Sequence, residues 1–521
     1  MRGSFLTFRI PTSGMHTARA NLAVTAHNMS NHETPGFSRQ ATVQSANPAL
    51  NLRNGRGVYG MGSSVNSVIQ IRDQFLDKRF WGQNSILGEF AVKVPQLSLV
   101  ESVFNVLSGA GDEIQAGINA GFKDFFAAIQ SLTGEAHSAT FRTGVLQTGE
   151  ALAGNIQSNA LRLQQQQRDL NGEVRAVVTE INSLGRQIVT LNEQIRNLEF
   201  HGSRANDLRD QRALLIDRLS EFVNVTVEEH DFSEQTGINN DLRLTVSLDG
   251  YDFVNNLSTH PLSLIPREAP EPAPQFPRRN EMDVPGLYEI RFANGSRFDM
   301  YSPTLRGTLR GLIDLRDGNG GISTQGTLTT NNFRGIPFYQ NRLNELVRTF
   351  ADEINTLHRS GFNLQDANNP ALDFFTWEYS RGTAAATQNS LTFSMNSVLQ
   401  LNPSLLQASD TPGSGESNSA IIRRFVDLWN DVGMFNEGTL EDFLNGTSNF
   451  LAVDNHQAMR FRQNYHEMSH ATQNQRAAVS GVSYVEELMD MQRFTALFNN
   501  NARMMQAINE IYDTLINRLG I

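Results

Sequence analysis

The chain has 521 residues, of which 39% are hydrophobic and 19% charged, with a net charge of −11. That length exceeds one core and predicts two to four ordinary folded domains, while the acidic balance without a dense Lys/Arg run argues against nucleic acid and anionic membrane surfaces as partners. There is no cysteine, which excludes disulfides and thiol chemistry; no run of about 18 apolar residues is found, and "MRGSFLTFRIPTSGM" lacks the apolar core of a Sec-type signal peptide.

In chain order, Met15, Ala18, Leu22, Thr25 and Met29 alternate by 3 and 4, the spacing of a narrow coiled-coil seam. The segment "NMSNHETPGFSRQ" then stops the helix, because proline cannot continue it and glycine accepts the turn. Residues 41–71 read as extended. A helical pattern returns from Gln74 to Leu107, with Pro95 an expected kink or break.

The longest helix follows. Leu163, Leu170, Val174, Val177, Ile181, Leu184, Ile188, Leu191, Ile195 and Leu198 lie on one seam, a rod of roughly 75 Å. It can dimerise or pack inside its own domain; the second is the expected use. After "DQRALLIDRLSEF" the period changes to 2. "VNVTVEE" and "LRLTVSLDG" read as strands, "LYEIRFANGSRFDM" as a hairpin turning at Asn294-Gly295 in a type I′ turn, and the proline-rich stretch between them as a loop. This makes residues 224–315 a β-domain inserted into a helical body. Residues 360–420 give no clear pattern.

Helical patterns resume to the end. Tyr484, Leu488, Met491, Thr495, Phe498, Ala502, Met505, Asn509, Tyr512, Ile516 and Leu519 alternate by 4 and 3, with Asn509 as the polar seam residue that fixes register. Two narrow seams at opposite ends of one chain are expected to pair with each other.

The motif "NMSNHETPGFSRQ" resembles the N-terminal signature of bacterial flagellar axial proteins at Asn28, Asn31, Thr34, Pro35, Gly36 and Phe37. Ser30 and Glu33 depart from its usual Ala and Asn. "SRQ", "NDLRDQRALLIDRLSEFVNVTV" and "SGVSYVEELMDMQRFTALFNNNARMMQAINEIYDTLI" narrow the resemblance to the family of flagellar hook-associated protein 1, which joins hook to filament. In the last, Phe494 and Arg503 stand where the family often has Tyr and Lys. The resemblance covers both ends and the helical middle, and neither the β-insert nor residues 360–420.

It implies a non-enzymatic structural subunit without a cofactor, extracellular on the flagellum and exported through the flagellar secretion channel. The implied fold is mainly α, elongated and multi-domain: a terminal coiled-coil part (1–40 with 485–521), a helical middle (41–223 with 316–484) and a β-rich outer part (224–315). Implied partners are the hook protein, the second hook–filament junction protein, other copies in a helical ring, and an export chaperone on the C-terminal helix. The implied assembly surface is Met15, Leu22, Asn28, Met29, Asn31, Pro35, Gly36, Leu488, Met491, Phe498, Met505, Asn509, Tyr512 and Ile516.

One motif points elsewhere. "HEMSH" matches H-E-x-x-H, in which His466 and His470 would hold zinc and Glu467 activate water. At helical spacing, Phe461, Tyr465, Met468 and Thr472 form one stripe and both histidines lie roughly opposite, so an exposed pair is the plainer reading. "GRGVYG" at 55–60 precedes an alternating strand rather than a helix, so it reads as a turn, not a dinucleotide site. "RDGNGG" at 316–321 reads as a helix stop.

Overall fold

Long apolar seams make long helices, and the computed structural model is mainly α with a β-region inserted at mid-chain. It describes residues 6–51, 58–104, 117–200, 202–236, 242–268, 276–322, 331–363, 371–377, 388–413 and 418–514. Helix α1 (Leu6–Ser30) is followed by strands β1 (Gln40–Ala46), β2 (Leu50–Asn51), β3 (Val58–Tyr59) and β4 (Ser63–Gln70). β1 pairs antiparallel with β4, and β2 with β3, so the extended arm is a hairpin. Of "GRGVYG", Gly55 to Gly57 lie outside the described residues; Val58 and Tyr59 form β3.

Helices α2 (Gln74–Phe104), α3 (Ile118–Gly134), α4 (Ala139–Glu199) and α5 (Asn206–Phe222) build the body. Pro95 does not break α2. Val94 and Leu97 on either side of it are buried, and that packing outweighs one lost backbone hydrogen bond. At 61 residues, α4 spans about 92 Å. Its seam is buried within its own chain from Leu163 to Ile195, against α3, α5 and the β-region. Two seam positions depart: Leu191 is half-buried with Asn192 buried beside it, and Leu198 is 52% exposed. Glu199 takes the inward position instead, because Arg209 meets it at 2.7 Å.

Strands β5 (Val225–Asp231), β6 (Leu242–Leu248), β7 (Tyr251–Asn255) and β8 (Ser258–Thr259) form one antiparallel sheet, with the short helix α6 (Ser233–Thr236) between the first two. The expected hairpin after it is different. Strand β10 (Tyr288–Phe292) pairs with β9 (Leu262–Pro266), a strand inside the stretch read as a loop. Beyond the turn only the single bridge Arg291–Arg297 forms. Asn294 is not at positive φ while Gly295 is, at 86°. The bond from Phe292 N to Ser296 O therefore closes a three-residue loop rather than a type I′ turn. Phe298 and Met300 leave the ladder because they are drawn into the core.

A buried ionic cluster holds the proline-rich insert to the body. Arg267 donates to both Asp317 oxygens at 3.1 and 2.8 Å, and Tyr301 Oη donates to Asp317 Oδ2 at 2.8 Å. Burial alone would raise Asp317, yet Arg267 and Arg316 hold it well below the usual carboxylate range. Helix α7 (Thr308–Asp317) ends at Gly318 as expected of the "RDGNGG" stop and lies on α2 and α4.

The remaining elements are α8 (Ile336–Arg359), β11 (Phe375–Trp377), β12 (Phe393–Met395), α9 (Ser397–Leu401), α10 (Ala420–Asp427), α11 (Leu440–Ser480) and α12 (Tyr484–Asp513). Phe122, Phe125, Phe350, Phe374, Phe375, Phe393 and Phe425 form a fully buried aromatic core there. Around it, α11 packs along α2, and α12 along α1.

His358 sits in that core. Its Nδ1 donates to Leu372 O at 2.7 Å and its Nε2 accepts from Gln407 N at 3.1 Å, a neutral ring with both nitrogens committed. Burial pushes its pKa down to about 4. The unfolded chain, with an ordinary value near 6.5, takes the proton first as pH falls. The stabilisation is therefore whole above pH 6.5 and is lost as pH drops from 6.5 to 4. Thermal melting should show a loss of up to about 1.4 kcal/mol per pH unit across that window, and a flatter profile in His358→Gln.

Candidate assembly interface

Helices α1 and α12 run antiparallel. Phe8 stacks on Tyr512 at one end with ring centroids 5.2 Å apart. Mid-way, a Cβ on Gly14 would lie 2.6 Å from Asn501 Oδ1, so the glycine is what lets Asn501 approach. At the other end Glu487 is 1% exposed. It accepts from Arg39 Nε at 2.7 Å and from Asn28 Nδ2 at 3.2 Å.

The line of α12 turned toward its neighbours is Glu487, Met491, Phe494, Phe498, Asn501, Met505, Ile508 and Tyr512, all buried or half-buried. Half of the expected seam is therefore shifted by one residue. Met491, Phe498, Met505 and Tyr512 are on it, but Leu488 (40% exposed), Thr495 and Asn509 stand outside it. The polar residue in the contact is Asn501, not Asn509. Burial of Glu487 explains the shift: its ion pair turns that edge of α12 inward. Ile516 and Leu519 lie outside the described residues.

On α1, Met15, Leu22 and Met29 are half-buried, while Thr17, Ala18, Asn21, Thr25 and Asn28 are buried. A mostly polar stripe is buried because polar partners cover it. Thr17 bonds Ser63, Asn21 accepts from Thr42 and Gln44, and Asn28 exchanges two hydrogen bonds with the Gln40 backbone at 2.9 and 3.0 Å. The side chain of Asn28 thus acts as one residue of a strand.

The turn after α1 has the expected shape. Asn31 donates to His27 O at 3.0 Å, and its Oδ1 accepts from Thr34 at 3.2 Å. Phe37 N donates to Thr34 O, and Gly36 has φ +80°. With Pro35 at the second position, this is a type II turn. Pro35 and Gly36 are exposed.

Residues after the turn fasten this terminal arm to the body. Ser38 bonds Asp210 through N and Oγ, at 2.9 and 2.7 Å, and Gln40 Nε2 donates to Asp207 at 2.6 Å. Arg72 pairs with Asp77 and Asp210, and Arg476 with Asp77 and Asp217, each of the last two at 2.9 Å. Trp81 donates to Asp217 at 2.6 Å. Burial raises both Asp210 and Asp217 against their cationic neighbours. Two quoted segments distant in sequence, "SRQ" and "NDLRDQ", thus touch each other. No single-sequence signal links them, so Arg39, Asp210, Asp217, Arg476 and Glu487 do not stand out in the sequence.

The histidine pair is elsewhere. His466 and His470 are exposed on α11, with Glu467 accepting from Gln463 and His470 beside Asn474. The stripe is met in part: Thr472 is buried and Tyr465 half-buried as expected, but Phe461 and Met468 are exposed and Ser469 is buried instead. Among the described residues no three groups that could hold a metal come together. Within them the zinc alternative finds no third ligand.

Residues 103–375 match the family of the flagellar hook-associated protein FlgK helical domain. The chain belongs to the FlgK family. Flagellar hook-associated protein 1 of Bacillus subtilis is 26% identical to it, over 100% of this chain and 99% of the other. The Escherichia coli protein of the same name is 24% identical over 97% and 98%. The solved flagellar hook junction protein FlgK from Burkholderia pseudomallei superposes with a TM-score of 0.59 at 13% identity, covering 77% of this chain and all of that one; that likeness concerns the fold. Membership in the FlgK family places the protein among flagellar axial proteins.

Removing the carboxylate in Glu487→Ala leaves one buried N–H of the Asn28 amide without its acceptor, its bonds to Gln40 remaining, a loss of about 1–3 kcal/mol. Hydrogen exchange should show protection falling in 484–513 and unchanged in 139–199. Gly36→Val should loosen the same arm more than Gly36→Ala, because a β-branched residue is worse at positive φ. Equal protection in all three variants would remove the clamp and the turn from this account.

Proposed function

We propose that the protein is a structural subunit of the flagellum at the junction of hook and filament, joining its neighbours through the paired terminal helices. The observation that carries this reading is the surface of α12. Glu487 is its one fully buried side chain among the described residues, whereas Val485, Met489, Leu497, Met504 and Ile511 are 42–65% exposed. An isolated soluble helix rarely leaves such a row in water. Neighbouring subunits supply the missing cover, and repeated head-to-tail contact builds a helical ring.

In this proposal the terminal pair forms the inner wall, with hairpin β1–β4 moving with the helix it packs on. The helical middle surrounds it, and the β-region 224–315 faces outward. The hook protein on one side and the second junction protein on the other are the proposed axial partners. Before assembly the same exposed row of α12 is the surface an export chaperone would cover, with passage through the flagellar secretion channel as the route. The chemistry proposed is assembly, without catalysis or cofactor.

A strain lacking the gene should build hooks and release filament protein into the medium, and a plasmid copy should restore filaments. Filaments on the null strain would end this reading. Leu497→Asp with Met504→Asp should block restoration while the purified protein melts as before, because each buried carboxylate costs several kcal/mol at an apolar contact. Normal swimming with that double variant would show that α12 is not the joining surface.

A further inference from the structure

The sulfur of this chain is unevenly placed. There is no cysteine, and 14 residues are methionine. Met15 and Met29 lie on α1, and Met489, Met491, Met504 and Met505 on α12. Six of the 14 thus fall in two helices of 25 and 30 residues. A pliable thioether is favoured where a surface must adapt to a partner.

The four on α12 divide by exposure. Met491 and Met505 are half-buried on the line turned toward α1. Met489 and Met504 are 58% and 51% exposed. At helical spacing they lie about 60° apart around α12, with Leu497 and Ile511 on the same side. Both sulfurs therefore stand in the exposed apolar row. Elsewhere the pattern differs. Met282, Met300, Met395 and Met434 are buried in the body. Met459 and Met468 are 40% and 45% exposed, but they lie on α11, outside the terminal pair.

We propose that Met489 and Met504 form an oxidation site, and that their sulfoxides stop the subunit from joining its neighbours. This rests on α12 as the joining surface and adds a chemical state that turns that surface off. The oxidant is hydrogen peroxide. A lone pair of the thioether sulfur attacks one peroxide oxygen, and the S–O bond forms as the O–O bond breaks. The departing hydroxide takes the proton from the oxygen now on sulfur and leaves as water. Sulfur loses two electrons and the peroxide gains them.

The product is a polar, chiral group where an apolar one stood. On a free subunit its oxygen points into water, and the fold is unchanged. At a joining contact that oxygen must leave water, and an apolar neighbour offers it no donor. Reach sets the timing. Neighbours that cover the row also cover the sulfurs, so the site reacts before joining and is closed after it.

The first measurement is made on the purified wild-type protein. Brief treatment with hydrogen peroxide, followed by peptide mass analysis, should place oxygen on Met489 and Met504 well before Met282, Met300, Met395 and Met434. Equal rates at all six would overturn the proposal. The second uses the null strain, in which a plasmid copy is induced under hydrogen peroxide too dilute to slow growth. Each strain is compared with its own level without peroxide. With the wild-type copy the fraction of cells with filaments should fall about tenfold, the effect of one unpaired buried polar group. Met489→Leu and Met504→Leu, volume-conserving changes tested singly and together, should lessen the fall. Met459→Leu with Met468→Leu should fall as the wild type does. An equal fall with and without the α12 sulfurs, or no fall in any strain, would overturn the proposal. Met489→Gln with Met504→Gln, which imitates the polarity of the sulfoxides, should fail to restore filaments even without peroxide, and full restoration would also overturn it. A wild-type copy that restores no filaments in the absence of peroxide would fail the junction reading instead.

Discussion

A buried carboxylate ties the two ends of this chain together. Glu487 of α12 is reached by Asn28 of α1 and by Arg39 at the entry to β1. A carboxylate taken out of water without partners would cost several kcal/mol. Arg39 also reaches Asp490 at 3.5 Å and Glu486 at 3.7 Å, but Glu487 is the one acidic side chain of α12 that is buried, and the register that covers it is the one its two donors favour. The position of every later residue on that helix, down to the Phe8–Tyr512 stack, follows from this anchor.

That choice of anchor separates specificity from strength. The body is held by apolar and aromatic burial along α3, α4 and α8, which is strong and tolerant of small shifts. The terminal arm is held by directional hydrogen bonds and ion pairs, whose net contribution is about 1 kcal/mol each. Its apolar surface stays partly in water. The body is thus held by burial, and the arm by contacts that fix its geometry while part of its apolar surface stays exposed. The polar joint of Ser38, Asp210, Arg72 and Arg476 is where the two regimes meet, so forces on the arm pass into the ends of α2, α5 and α11.

Much of the architecture was legible as periodicity. The buried run from Leu163 to Ile195 sits on the expected seam, and the change of period after Phe222 marks the β-region. Pro35-Gly36 ends in the turn its residue types favour, since proline presets φ and glycine accepts the positive value. The misses share one cause. Pro95 inside α2, the strand at Leu262–Pro266 and the shift from Thr495 to Phe494 are each decided by what lies opposite, and local spacing carries no record of a neighbour 100 or 400 residues away.

The sequence by itself therefore determined most of the helices, the place where the period changes, the pairing of the two chain ends and the family, because period and turn chemistry are local properties. The tertiary structure alone decided which polar residues matter. Arg39 and Glu487 are 448 positions apart, and each is an ordinary surface residue by type. Only the folded chain removes the water between them, and removal of that water turns two unremarkable charges into the contact that sets the register of the arm.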